Sequence, residues 1–164
     1  MATYPHVVAH IGLTVPDIEA AVQWYTEMFG FSILLPPSYS AVGEGHNGDI
    51  GADIYGADFR ANKMAMLGTG NGVGLELFEF VEPSTKNYPL EYTPWKPGYF
   101  HFAVMAPDVE GMAQKIIERG GTRISKRWDI APGILPYQLC YVKDPWGNVI
   151  ELFSHSNDVV MAPR

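Results

Sequence analysis

The sequence predicts an α+β fold built from two tandem copies of one βαβββ unit. Three observations carry that prediction. His10-Ile-Gly-Leu-Thr-Val-Pro16-Asp17-Ile-Glu19, running on through Gln23 and Glu27 to Gly30, returns as His101-Phe-Ala-Val-Met-Ala-Pro107-Asp108-Val-Glu110, running on through Gln114 and Glu118 to Gly121, and each pair numbered here is offset by 91. A later pair, Gly72-Val-Gly-Leu-Glu76-Leu-Phe78 and Gly147-Asn-Val-Ile-Glu151-Leu-Phe153, matches at an offset of 75. The difference of 16 between 91 and 75 places an insertion in the first copy, within the stretch from about Pro36 to Arg60.

Each module opens on a strand, since Val7 to Val15 is rich in β-branched and apolar residues and Pro16-Asp17 ends it while offering a helix start. Ile18, Ala21, Val22, Tyr25 and Phe29 then follow helical spacing, and Gly30 is a natural stop. Val109, Met112, Ala113, Ile116 and Ile117 repeat the pattern up to Gly120-Gly121. Further strands are expected at Phe31 to Leu35, Lys63 to Leu67 and Val73 to Val81, and again at Thr122 to Lys126, Tyr137 to Val142 and Asn148 to Ser154. Asp144-Pro-Trp-Gly147 reads as the turn before the last of these. The first module is assigned to residues 5–82 and the second to 98–156 within one domain spanning 1–164. A linker at 83–97, broken by Pro83, Pro89, Pro94 and Pro97, joins them. One helix per module covers one face of a mixed sheet, and the other face is left open.

Composition narrows the function classes. The 164 residues are 47% hydrophobic and 18% charged, as a folded domain requires. A net charge of -7 opposes binding to nucleic acid or to an anionic membrane surface. No apolar run approaches the roughly 20 residues of a membrane helix, and the first residues lack the pattern of a signal peptide, so a soluble, cytoplasmic protein is expected. With Cys140 as the single cysteine, any metal must be held by His, Asp, Glu or water. Cys140 itself reads as a small buried hydrophobe. Gly43-Glu-Gly-His46-Asn-Gly48 is rich in glycine but lacks the ending of a phosphate loop, and no helix is expected to follow it.

Period-two alternation shows what the open faces carry. Ile11, Leu13 and Val15 turn toward the helix and His10, Gly12 and Thr14 away from it. His101 lies with Tyr99, Ala103 and Met105 opposite Phe100, Phe102 and Val104, while Glu76 alternates with Leu75 and Leu77, and Glu151 with Ile150 and Leu152. A glutamate inside an apolar strand loses several kcal/mol of solvation on burial, and a bound cation is one of the few partners that offsets this. Any one such residue is commonly structural, but here the same His and the same Glu recur in both copies. Two histidines and two glutamates suit Zn, Ni, Co, Mn or Fe and leave positions for water or substrate.

The His of the first strand and the Glu of the last strand in each module, with Tyr25 to Gly30 and Asp144-Pro-Trp-Gly-Asn-Val-Ile-Glu151-Leu, resemble the vicinal oxygen chelate superfamily. That superfamily includes glyoxalase I, methylmalonyl-CoA epimerase, extradiol dioxygenases and bleomycin-resistance proteins. The resemblance implies a cupped sheet with helices outside, a divalent metal on His10, Glu76, His101 and Glu151, and Glu151 or Glu76 as the group that moves a proton. It implies a lyase or isomerase of the glyoxalase I type acting on a small substrate with adjacent oxygens, and a homodimer. Epimerase, ring-cleaving dioxygenase and ligand-sequestering readings stand as alternatives. Bacterial glyoxalase I enzymes commonly have an arginine four residues after the first ligand, where this chain has Thr14, which argues against a glutathione adduct. The insertion and the linker aromatics Tyr88, Tyr92, Trp95 and Tyr99 are expected to shape the pocket.

Overall fold

A computed structural model describes residues 6–85 and 92–161. The chain forms two compact units, Met1–Asn87 and Tyr88–Arg164, each with its own mixed sheet, and the α+β class expected from the repeat is the one observed.

In the first unit β1 (His10–Thr14) leads into α1 (Ile18–Phe29), followed by β2 (Ser32–Ala41), α2 (His46–Tyr55), β3 (Ala61–Gly68) and β4 (Gly74–Glu82). The sheet order is β1-β4-β3-β2, with β1 and β4 parallel and the other neighbours antiparallel. Asp17 caps α1 by accepting from the Ala20 amide at 2.9 Å, and Gly30 closes it at φ 69°, a conformation open to glycine at little cost. The buried residues Ile18, Ala21, Val22 and Tyr25 share the covered face of the sheet with Ala65, Leu67, Leu75 and Leu77.

In the second unit β5 (Phe102–Met105) and α3 (Val109–Glu118) precede β6 (Thr122–Arg123), β7 (Trp128–Asp129), β8 (Gln138–Lys143) and β9 (Val149–Phe153), and α4 (Asn157–Val160) follows. The order β5-β9-β8-β6 repeats the first sheet, with β7 added on β8. Asp108 caps α3 through the Gly111 amide at 2.9 Å, as Asp17 caps α1. Val109, Ala113 and Ile116 are buried, as are Cys140, Val142, Ile150 and Leu152 on the covered face of the sheet. Cys140 is thus the small buried hydrophobe its flanking residues suggested.

Two expectations need correcting. A ten-residue helix, α2, begins at His46 inside the glycine-rich stretch, where no helix was expected. Gly48 and Gly51 look like helix breakers, yet both are buried because the helix lies very close to its support. A Cβ at Gly48 would collide with the Ala41 carbonyl, and one at Gly51 would stand 2.5 Å from the Phe59 ring. Second, the open face of the first sheet is partly covered, because Tyr55 at the end of α2 packs on Phe78 and Phe80, with ring centroids 6.1 and 5.1 Å away. Gly48→Ala is accordingly expected to destabilise the chain by more than about 1 kcal/mol and to expose the 46–55 amides to hydrogen exchange. Unchanged exchange across that segment would refute the close packing.

Candidate functional site

The register of each sheet decides which side chains meet. In the first unit Gly12 pairs with Glu76, and His10 with Gly74, so His10 and Glu76 are on one face of adjacent parallel strands. A Cβ at Gly74 would approach the His10 Cβ within 3.2 Å and the Met66 sulfur within 2.8 Å, so glycine there lets the imidazole lie against β4. His10 Nε2 stands 3.2 Å from Glu76 Oε2, with the two side chains 48% and 18% exposed. In the second unit Ala103 pairs with Glu151, and His101 is two residues before Ala103 on the same face. His101 Nε2 stands 3.1 Å from Glu151 Oε2, with exposures of 25% and 14%. All four residues singled out from the sequence therefore face a partner within their own unit, through the same atoms and at nearly the same distance.

These donors fit a divalent ion. Two ligands held at about 2.0–2.1 Å on one metal stand roughly 2.8–3.4 Å apart for octahedral or tetrahedral angles. Both observed separations fall in that span, and in the metal-free chain the same spacing serves a His–carboxylate contact. Nδ1 of His101 is buried and has no hydrogen-bond partner, which leaves Nε2 as the ring atom with an assigned contact.

Two tyrosines flank the glutamates, and neither stood out in the sequence as part of the site. Tyr141 pairs directly with Glu151 across β8 and β9, donates its hydroxyl proton to the Glu151 carboxylate, and meets the His101 ring edge-on at 5.2 Å. Burial, with the charge of Glu151 and the hydrogen bond to it, pushes Tyr141 up to about 12. Tyr55 is raised as well, by burial and then by the charge of Glu76. The signal for Tyr141 was its parity with Leu139, which needed the β8 register to be read. A folded-state value above the ordinary phenol value of about 10 favours the protonated form, so its stabilisation is full below pH 10 and is lost as pH rises through 12. In the chelator-treated protein, Tyr141→Phe should remove part of the stability loss over that window. Identical alkaline melting curves would contradict this.

The surroundings are mixed. Thr14 is exposed on the face of Glu76. In the second unit Trp128 pairs with Leu139 and so shares the face of Tyr141, and the Lys126 ammonium lies 4.0 Å from the Trp128 ring centroid. Among the linker aromatics Tyr92 is half-buried, Trp95 and Tyr99 are exposed, and Tyr88 lies outside the described residues. His155, which reads as solvent-facing from its place after the last strand, is half-buried with Nδ1 2.8 Å from Ser154 Oγ. A trio of carboxylates, Asp17, Glu19 and Glu79, gathers at the start of α1, but its charges are already engaged. The Lys63 ammonium is 3.0 Å from Glu19 and 3.5 Å from Glu79, and the Ile18 amide donates to Glu79 at 3.0 Å.

The family profile described as the Glyoxalase/Bleomycin resistance protein/Dioxygenase superfamily matches residues 7–152. The chain belongs to this superfamily. It is 28% identical over 149 residues to a 2-epi-5-epi-valiolone epimerase of Actinomyces sp, a match covering 90% of this chain and 78% of that one. It is 26% identical over 147 residues to a lactoylglutathione lyase of Arabidopsis thaliana, covering 90% of this chain but 42% of the relative, so the chain spans less than half of that protein. Among solved structures, a glyoxalase family protein from Bacillus cereus has the same fold, with a TM-score of 0.73 at 20% identity, covering 93% of this chain and 97% of that one. Among the described residues no helix is long and apolar enough to cross a membrane.

Proposed function

We propose that this superfamily member is a divalent-metal-dependent enzyme of the glyoxalase I type, catalysing proton abstraction next to a carbonyl on a small substrate with adjacent oxygens. The carrying observation is the repeated His–Glu pair, His10 with Glu76 and His101 with Glu151, at 3.2 and 3.1 Å on the sheet faces away from α1 and α3. The family resemblance implies that the two pairs would supply a His2Glu2 donor set. Zn, Ni, Co, Mn and Fe all suit this donor set, and any of them supplies Lewis acidity that lowers the barrier to losing a proton beside the carbonyl.

The residues of the chain do the rest. His10 and His101 hold their positions from the strand edges while a carboxylate, Glu76 or Glu151, accepts the proton from carbon. The electron pair of the broken C–H bond moves to the carbonyl oxygen, and the carboxylate returns the proton to the neighbouring carbon in an isomerisation. Returning it to the same carbon from the opposite side would epimerise instead. Two carboxylates, each beside a histidine, are enough for either outcome.

Epimerisation of an oxygen-rich, uncharged ring ketone is the second reading, and the wall beside Glu76 favours it. Phe78 and Phe80 share the face of Glu76, and Tyr55 packs across them, giving an aromatic surface for a ring and a hydroxyl for its oxygens. The broader match to the valiolone epimerase, 78% of its length, supports the same reading.

Metal analysis of protein purified without chelator, beside alanine variants of the four residues, tests the proposal. About one divalent ion per site is expected in the wild type, with loss in the variants. Deuterium wash-in from solvent should then be compared for a glutathione hemithioacetal and a polyhydroxylated cyclohexanone. A metal-free wild type, or unchanged metal and turnover in both Glu76→Ala and Glu151→Ala, would overturn it.

A further inference from the structure

Positive charge is scarce in this chain and is gathered in one place. Of its 11 Lys and Arg residues, Arg119, Arg123, Lys126 and Arg127 all fall between positions 119 and 127 of the second unit. Residues 6–85 hold only Arg60 and Lys63, and both are engaged. The Arg60 guanidinium donates to the Ala57 and Phe59 carbonyls at 2.7 Å, and the Lys63 ammonium lies between Glu19 and Glu79.

The segment after β6 presents its charge outward from a fixed backbone. The Ile124 and Ser125 amides donate to the Tyr141 carbonyl at 2.9 and 3.1 Å, and Ser125 Oγ accepts from the Tyr141 amide at 2.9 Å. Farther on, Trp128 and Asp129 pair with Leu139 and Gln138. Lys126 and Arg127 therefore occupy a break in the edge of the sheet that is pinned to β8 before and after. Among the described residues nothing accepts from their two backbone amides, and neither side chain is paired with a carboxylate. The Lys126 ammonium lies 4.0 Å from the Trp128 ring centroid, an attraction that holds it in place without neutralising its charge. The neighbouring carboxylates are taken. Glu110 accepts from both terminal nitrogens of Arg123 at 2.6 and 2.7 Å, and Asp129 accepts from Gln138 at 3.2 Å.

Glu110, Arg123, Ser125, Lys126 and Arg127 line an open groove of about 790 Å³, a size within the roughly 300–1,000 Å³ of small-molecule sites. We propose that this groove is an anion site in which Lys126 and Arg127, through their side chains and backbone amides, bind the phosphate group of a small molecule. A phosphate accepts hydrogen bonds from several directions at once, which suits a planar guanidinium, a compact ammonium and two further N–H donors. A carboxylate, with two oxygens and a single charge, would engage fewer of them. The site is separate from the His–Glu pairs, because β8 lies between this edge and β9, which carries Glu151. The first unit has no equivalent, since β2, in the position of β6, carries no Lys or Arg from Ser32 to Ala41.

Titration of inorganic phosphate into the full chain at constant ionic strength, followed through the amide resonances of isotope-labelled protein, tests the site without metal or turnover. The Lys126 and Arg127 amides should shift and saturate, and the affinity should fall as salt is raised, because the groove is open to water. The double variant Lys126→Ala, Arg127→Ala should bind at least about tenfold more weakly. Lys115→Ala, which removes an exposed charge from α3, should stay within about twofold of wild type. Phenyl phosphate binding more tightly than inorganic phosphate would assign the groove to an organic phosphate, and equal binding would assign it to the free ion. Chloride or acetate shifting the same amides as strongly, or an unchanged phosphate affinity in the double variant, would overturn the proposal. A metal-free wild type would leave it standing.

Discussion

Glu76→Gln should leave the chain folded and lower turnover of an enolisable hydroxyketone about 1,000-fold. The size follows from the role, because a positioned carboxylate that moves a proton in the transition state contributes about 100- to 10,000-fold, and the amide keeps the shape while losing the basicity. Glu76 is 18% exposed on the face it shares with Phe78, so the isosteric amide fits without opening a void. Glu151→Gln should lower turnover as well, and metal analysis of the two variants reads whether loss of the ion or of the base is the cause. Deuterium wash-in at the wild-type rate in Glu76→Gln would remove Glu76 from the proton path.

Much of this site was legible from residues because the repeat gave each of them twice. A lone Glu76 in a strand says little, but Glu76 and Glu151 in the same frame, with Leu75 and Leu77 matched by Ile150 and Leu152, fix both the strand and the face that points away from the helix. The Pro-Asp pairs likewise marked both helix starts, since Asp17 and Asp108 each cap through their own carboxylate. What the sequence hid lies where the copies differ. Strand β2 runs through Pro36-Pro37 because it is an edge strand whose register slips between Leu35 and Ser38, so the missing amides cost it little. Helix α2 was hidden by its glycines, which serve close packing against Ala41 and Phe59 rather than chain reversal. Tyr55 and Tyr141 were invisible for a related reason. One depends on that unseen helix, and the other on a cross-strand register that no single strand reveals.

The face assignment on which every site residue depends can be tested by stability alone. Leu152 is fully buried on β9, paired with Val104 and Cys140, on the face that also buries Ile150 and Val142 beneath α3. Leu152→Ala should cost about 3 kcal/mol, the transfer term of the lost methyl groups plus that of the cavity they leave. For a chain of this length that lowers the melting temperature by roughly 6–12 °C. Met105, on the neighbouring strand with its side chain on the opposite face, is 61% exposed, and Met105→Ala should cost less than about 0.5 kcal/mol. The contrast matters because strand side chains alternate with period two, so shifting β9 by one residue would bury Glu151 under the helix and turn Leu152 toward Tyr141. Similar losses in the two variants would mean that register is wrong. A large loss at Leu152 alone would place Glu151 on the face away from α3, where a carboxylate held by Tyr141 can meet His101.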